Sequence, residues 1–271
     1  MSFKSTLMET LEKGIVPIRI GGLGNQMFIV AASYVAHKES SLPLYLVDSP
    51  KNNKHNDIHD YNDSIFKYFG TRIQVSQDTI PYSYFNPPAF SSWNPANIRP
   101  GTCMASYFQY YPALEPHEDF LRILFLRGLE VYRSKISLNY GTCAFLHIRR
   151  GDFLTYSDIH YIQSLDYYKQ ASDVLQKSGV TKIVVVSDDL PWVREQELFK
   201  NSLYELYDSA DELEILALMS KCTAGAICGN STFSWWGAFL GAYRIHKPCI
   251  VPKKWISLPI VSLFPKEWII I

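Results

Sequence analysis

The chain carries no net charge: 26 basic and 26 acidic side chains balance across 271 residues, with no basic block. It therefore offers no electrostatic footprint for nucleic acid and no obvious patch for an anionic membrane. No segment approaches the roughly 18 consecutive apolar residues of a membrane span. The amino terminus, with Lys4, Glu9, Glu12 and Lys13, lacks the apolar run of a secretory signal. Cysteines are few, odd in number and irregularly spaced: Cys103, Cys143, Cys222, Cys228 and Cys249. Buried thiols in a reducing compartment explain them more simply than a disulfide framework. No Cys/His cluster has metal-ligand spacing. These absences predict a soluble cytoplasmic protein, at most peripheral to a membrane. What is present is a large apolar fraction, 47%, enough for one large core or two smaller ones.

Two further absences limit the chemistry. Residues 15–20 read as a strand, with Pro17 arguing for its beginning or an edge position. It runs into Gly21-Gly-Leu-Gly-Asn-Gln-Met-Phe28, and 29–38 is helical in character. Strand, glycine turn and helix suggest a dinucleotide site, but Met27 stands where the third glycine of G-x-G-x-x-G belongs, so that reading is weak. Asp188 and Asp189 are adjacent and do not form the D-x-D spacing that presents alternate carboxylates to one ion.

The second half alternates strands and helices. Strands are expected at 143–148, 182–186, 225–228 and 248–251, and helices at 165–177, from 191, at 211–220 and at 234–243. That alternation argues for parallel sheet. Two α/β units divided within 112–140 fit the length, a single doubly wound domain being the alternative. In the first half, a strand is expected at 42–47 and a helix at 60–69. Proline and aromatics dominate 81–100 and suit either a sugar-binding groove or packing on the core, and Met104–Tyr111 poses the same choice.

The most informative segment is His147-Ile-Arg-Arg-Gly-Asp152. It ends an apolar strand in two guanidiniums, groups suited to bidentate grip on phosphate, and Gly151 would let the chain turn closely around a ligand. A surface turn with Arg150 paired to Asp152 is the bland alternative. In one parallel sheet, Arg149 and Arg150, then Ser187, Asp188 and Asp189, then Asn230 and Ser231 would share the strands' carboxyl edge, where open α/β sheets bind ligands. Ser231 or Thr232 would cap the following helix, whose free N–H groups suit phosphate. An ordinary cap with Trp235 and Trp236 in the core is the competing view.

Four blocks in order resemble the bacterial-type α-1,2-fucosyltransferases, glycosyltransferase family 11: Gly21–Phe28, His147–Phe153, Val185–Asp189 with Trp192, and Asn230–Gly237. Leu165–Tyr168 and Val251–Trp255 also fit. Ile29 stands where glutamine is frequent and Phe153 where tyrosine is, and 49–100 matches little.

The resemblance implies an α/β GT-B-like glycosyltransferase with two Rossmann-like domains facing a cleft. An acceptor-side domain would span 1–125 and a GDP-fucose-binding domain 126–271, the final segment returning to the first. It implies inverting, metal-independent transfer of fucose from GDP-β-L-fucose to the 2-hydroxyl of a terminal β-galactoside, with no cofactor beyond that donor. Transfer to another sugar position or a protein hydroxyl, and a non-catalytic nucleotide- or carbohydrate-binding protein, are the alternatives. The acceptor could reside on a membrane-borne glycolipid. Implied catalytic residues are Arg149 and Asn25, with Asp152 orienting the arginine loop. The resemblance supplies no base; Asp158, six residues beyond Asp152 in the loop leaving the strand, His160 and Asp152 itself are the candidates by position, against loop residues with no proton-transfer role. Implied donor contacts are Gly22, Gly24, His147, Arg149, Ser187, Asp188, Asp189, Asn230, Ser231, Thr232, Phe233 and Ser234.

Overall fold

The computed structural model describes residues 8–48, 59–76 and 83–271. Chain contacts divide it into two compact units, Met1–Gly128 with Ile260–Phe264, and Leu129–Pro259 with Pro265–Ile271.

Among its described residues the first unit holds two small parallel sheets. Strand β1 (Ile15–Pro17) pairs with β5 (Thr102–Met104), which also pairs with β4 (Ser83–Phe85). Strand β2 (Tyr45–Asp48) pairs with β3 (Thr71–Ser76). A bridge from Ile15 to Leu44 links the two sheets. Pro17 closes its strand instead of opening it, and β1 is an edge strand of its three-stranded sheet, as the proline suggested.

The helix Leu23–Ser40 is buried over most of its circumference, as befits a core helix. It starts six residues earlier than expected because the Asn25 and Gln26 N–H groups both donate to the Gly22 carbonyl. Gly24 and Asn25 thus belong to its first turn. The expected helix at 60–69 is a series of turns, with Asp60 accepting from the Asn62 N–H and the Phe66 N–H reaching Tyr61. Strands β3, β4 and β5 went unread in the sequence: β4 and β5 have three residues each, too few to establish a period, whereas β3, Thr71–Ser76, does alternate and was missed.

The second unit is a six-stranded sheet in the order β11-β10-β9-β6-β7-β8, parallel throughout. Its strands are β6 (Ala144–Ile148), β7 (Ile183–Ser187), β8 (Tyr204–Leu206), β9 (Gly225–Ile227), β10 (Cys249–Val251) and β11 (Ile269–Ile270). All five residues of β6 are buried, as expected for a central strand covered on both faces. Helix Leu165–Lys177 buries Tyr167, Tyr168, Ala171 and Leu175 against the sheet. Ser164 caps it by accepting from the Tyr167 N–H, and the chain turns away through Gly179 at φ +89°. The chain runs outward from β6 through β7 to β8, then returns to β9 on the other side of β6. The switch point of the sheet therefore lies between β6 and β9, where ligands bind open α/β sheets.

Candidate functional site at the carboxyl edge of the second sheet

Arg149 and Arg150 follow β6 and engage different partners. The Arg149 guanidinium meets Asp152 Oδ1 at 2.7 Å and Asp188 Oδ2 at 3.2 Å, and lies 5.6 Å from the centre of the Phe153 ring. The Arg150 Nε–H donates to Asp189 Oδ2 at 3.0 Å, and its guanidinium lies 3.9 Å from the Trp192 ring centre. Side-chain exposure, 28% for Arg149 and 16% for Arg150, marks the first as the more accessible cation. The bland expectation of an Arg150–Asp152 pair gives way to this crossed arrangement.

Asp188 is the hub: its Oδ1 accepts the Arg150 backbone N–H at 2.9 Å while Oδ2 faces Arg149. A Cβ on Gly151 would lie 2.6 Å from that Oδ2. The close approach expected of Gly151 is thus to a carboxylate of the protein. The segment after β6 is a short helix, Gly151–Thr155. Asp189 caps the helix Leu190–Glu195 by accepting from the Trp192 N–H, and Ser187 Oγ accepts the Asp189 N–H. Both side chains organise their own turn.

At the end of β9, Ser231 caps the helix Thr232–Leu240 by accepting from the Phe233 N–H. Ser234 Oγ donates to the carbonyls of Gly229 and Ser231. Trp235 and Trp236 are both buried in the core. Asn230 is buried, and its Nδ2 donates to the carbonyls of Tyr161 at 2.8 Å and Trp255 at 2.9 Å. Phe233 lies edge-on to His147, 5.7 Å between ring centres. His147 is buried, and desolvation, with Arg149 nearby, pushes its pKa down to about 3. It is a neutral imidazole at neutral pH.

His160 stacks on Phe153, with ring centres 4.0 Å apart, and burial with Arg149 outweighs Asp152 to lower its pKa. Asp158 is exposed on the turn between them. The structure therefore brings His147, Arg149, Asp152, Ser187, Asp188, Asp189, Asn230, Ser231, Thr232, Phe233 and Ser234 to the ends of three adjacent strands, with Asp158 on a neighbouring turn. Among the described residues no group of three or more His, Cys, Asp or Glu could hold a metal ion.

Gly22, Gly24 and Asn25 belong to the first unit. Gly22 is the extended cap of its helix. The position that needs glycine is Gly21, at φ +74°, where a Cβ would lie 2.8 Å from Asn25 Nδ2. Asn25 Oδ1 accepts from Gln109 Nε2 at 3.0 Å. Sequence reading missed Gln109, a lone amide in an aromatic run, and the stacking role of Trp192. The aromatics at 81–111 divide: Phe90, Trp93, Phe108 and Tyr111 are buried, whereas Tyr84 is exposed. Tyr82 lies outside the described residues.

The model of glycosyl transferase family 11 matches residues 102–271, which include the whole of this strand-end cluster. The chain belongs to glycosyl transferase family 11. It is 30% identical to the O-antigen biosynthesis glycosyltransferase WbnK of Escherichia coli, over 88% of this chain and 93% of that one. It is 24% identical to an Escherichia coli alpha-1,2-colitosyltransferase, over 92% and 96% respectively. Among solved structures, fucosyltransferase NodZ from Bradyrhizobium is similar over 84% of this chain and 93% of that one. Its TM-score is 0.50 and its identity 11%, a likeness of fold. This family member is an α/β, GT-B-like glycosyltransferase, as the ordered sequence blocks implied. No helix among its described residues is long and apolar enough to cross a membrane.

Proposed function

We propose that this glycosyltransferase transfers L-fucose from GDP-β-L-fucose to the 2-hydroxyl of a terminal β-galactoside, with inversion and without a metal. The observation that carries the reading is Arg149, partly open at the switch point of the sheet and one strand away from the start of the helix Thr232–Leu240. A guanidinium and a helix amino terminus together supply the positive field that a departing nucleoside diphosphate needs. An interaction that strengthens as charge builds on the leaving phosphate lowers the barrier itself.

The two carboxylates on Arg149 have different work. Asp188 is anchored by the Arg150 N–H and holds the guanidinium in place. Asp152 is 43% exposed and is the partner a phosphate oxygen would displace. The neutral His147 adds no competing charge behind Arg149. Asn25 is the residue proposed to hydrogen-bond the transferred sugar, with Gly22 and Gly24 allowing close approach. For the base that takes the acceptor proton we propose Asp158, ahead of Asp152, because Asp152 is already engaged by the Arg149 guanidinium at 2.7 Å.

The four sequence blocks support fucose as the donor sugar, and the relative named for alpha-1,2-colitosyl transfer supports attack by a 2-hydroxyl. The relative named for O-antigen biosynthesis supports a bacterial glycan acceptor. If that glycan is carried on a lipid, the enzyme would work from the cytoplasm at a membrane surface. The test is incubation of the purified protein with GDP-fucose or a colitosyl donor and a panel of galactosides, with and without EDTA, followed by linkage analysis. An α-1,2-fucosyl product at EDTA-insensitive rates is expected. A different sugar, linkage or metal requirement corrects the corresponding element, and nucleotide binding without turnover refutes catalysis.

A further inference from the structure

Beside the arginine cluster, within the second unit, two chain segments are fastened side by side. Residues 156–163 follow the short helix Gly151–Thr155, and residues 253–258 follow β10. His160 and Ile256 form an antiparallel bridge, the Ser257 N–H donates to the Ile159 carbonyl at 3.0 Å, and Gln163 Nε2 donates to the Lys254 carbonyl at 2.7 Å. From beneath, Asn230 donates one amide proton to each segment, at the Tyr161 and Trp255 carbonyls. A buried amide with both protons committed in this way makes a fixed ledge of two surface loops.

That ledge and the turn leading into it expose Leu154, Tyr156, Ile159, Tyr161 and Leu258, each between 37% and 52% accessible. Several large apolar side chains, exposed together on backbone that is held rigid, mark a binding surface. Its position selects the ligand. The Phe153 ring centre lies 5.6 Å from the Arg149 guanidinium, and the ring stacks on His160, so the ledge begins one ring beyond the proposed phosphate-binding cation. Tyrosines and aliphatic side chains flanked by Ser157, Asp158 and Ser257 suit the mixed apolar and hydroxylated faces of a sugar.

We infer that this ledge binds the acceptor glycan, contacting the sugar next to the galactose that receives fucose. The inference rests on the proposed transfer to a galactoside and assigns the second unit a part in acceptor choice. Because Asn230 holds the surface in place before binding, little ordering opposes association.

The experiment compares methyl β-galactoside with a β-galactosyl-N-acetylhexosamine disaccharide for the parent enzyme, Tyr156→Ala and Leu258→Ala. The disaccharide KM should rise about 10-fold in the variants, roughly the loss of 1.4 kcal/mol of binding. The KM for GDP-fucose and the rate with methyl β-galactoside should stay unchanged. Equal KM values for the disaccharide in parent and variants would overturn the inference. So would loss of binding to phosphatidylglycerol vesicles with acceptor kinetics intact, which would make the ledge a membrane face. Saturation-transfer NMR with the disaccharide alone separates the two proposals. Binding that is lost in Tyr156→Ala while no fucosyl product forms with any acceptor keeps the ledge and refutes the transfer reaction.

Discussion

Gly151→Ala isolates the geometry of Arg149 without touching a charged group. The added methyl would sit 2.6 Å from Asp188 Oδ2 and 3.2 Å from its carboxyl carbon, so the carboxylate must move. Asp188 cannot swing freely, because Oδ1 accepts the Arg150 N–H and Oδ2 faces Arg149. Weakening a hydrogen bond to a charged group costs about 1.5–3 kcal/mol, discounted here because the cluster is partly open to water. The larger effect is on catalysis: Arg149 would keep Asp152 and lose its fixed partner. A misplacement of about 1 Å can reduce rate on the order of 100-fold, so we expect kcat/KM with GDP-fucose to fall by about 10- to 100-fold. The melting temperature should change by only a few degrees. Steady-state kinetics on Gly151→Ala, Asp188→Ala and the double variant form the assay. In the Asp188→Ala background the methyl meets no carboxylate, so its additional cost should nearly vanish. Wild-type kcat/KM in the single variant, or full additivity in the double one, would refute this account of the glycine.

Arg149→Ala should lower kcat/KM by roughly 100-fold or more, as for other transition-state donors; unchanged turnover in a folded variant would remove Arg149 from the chemistry. Among the proton acceptors, Asp158→Asn should depress kcat at saturating substrates while His160→Gln changes it little, and near-normal kcat in Asp158→Asn would reject Asp158. Because the pKa of His147 is lowered in the folded state, the unfolded chain takes up a proton that the folded chain refuses as pH falls below 6.5. The stability it contributes is present above that pH and is lost toward about pH 3, with a slope of up to about 1.4 kcal/mol per pH unit. Urea titrations between pH 6.5 and 4 should show that slope and its flattening in His147→Leu. Burial raises the pKa of Cys103, Cys143, Cys222, Cys228 and Cys249, all of them free thiols. A thiol-disulfide reagent should therefore react slowly with the native protein and label all five only on unfolding; rapid labelling of the folded enzyme would contradict the burial.

The sequence by itself determined the parallel sheet of the second unit, because buried apolar runs followed by amphipathic helices have few other ways to pack. The helix at 165–177 was readable to the residue, since a serine cap, an apolar stripe and a closing glycine all act locally. It also placed Arg149, Asp188 and Asn230 at strand ends on one edge, for every βα turn of such a sheet lies there; that their three strands are neighbours is decided by the strand order of the folded sheet. In the first unit it showed β1 and β2 but not β3, β4 and β5, of which β4 and β5 are only three residues long. Nor could it divide the work among the polar residues. Arg149 is open and Arg150 is stacked on Trp192. Gly151 yields to Asp188, and Asn230 fastens two loops. Those differences depend on partners about 25 to 70 residues away along the chain, which only the tertiary structure brings within hydrogen-bonding distance.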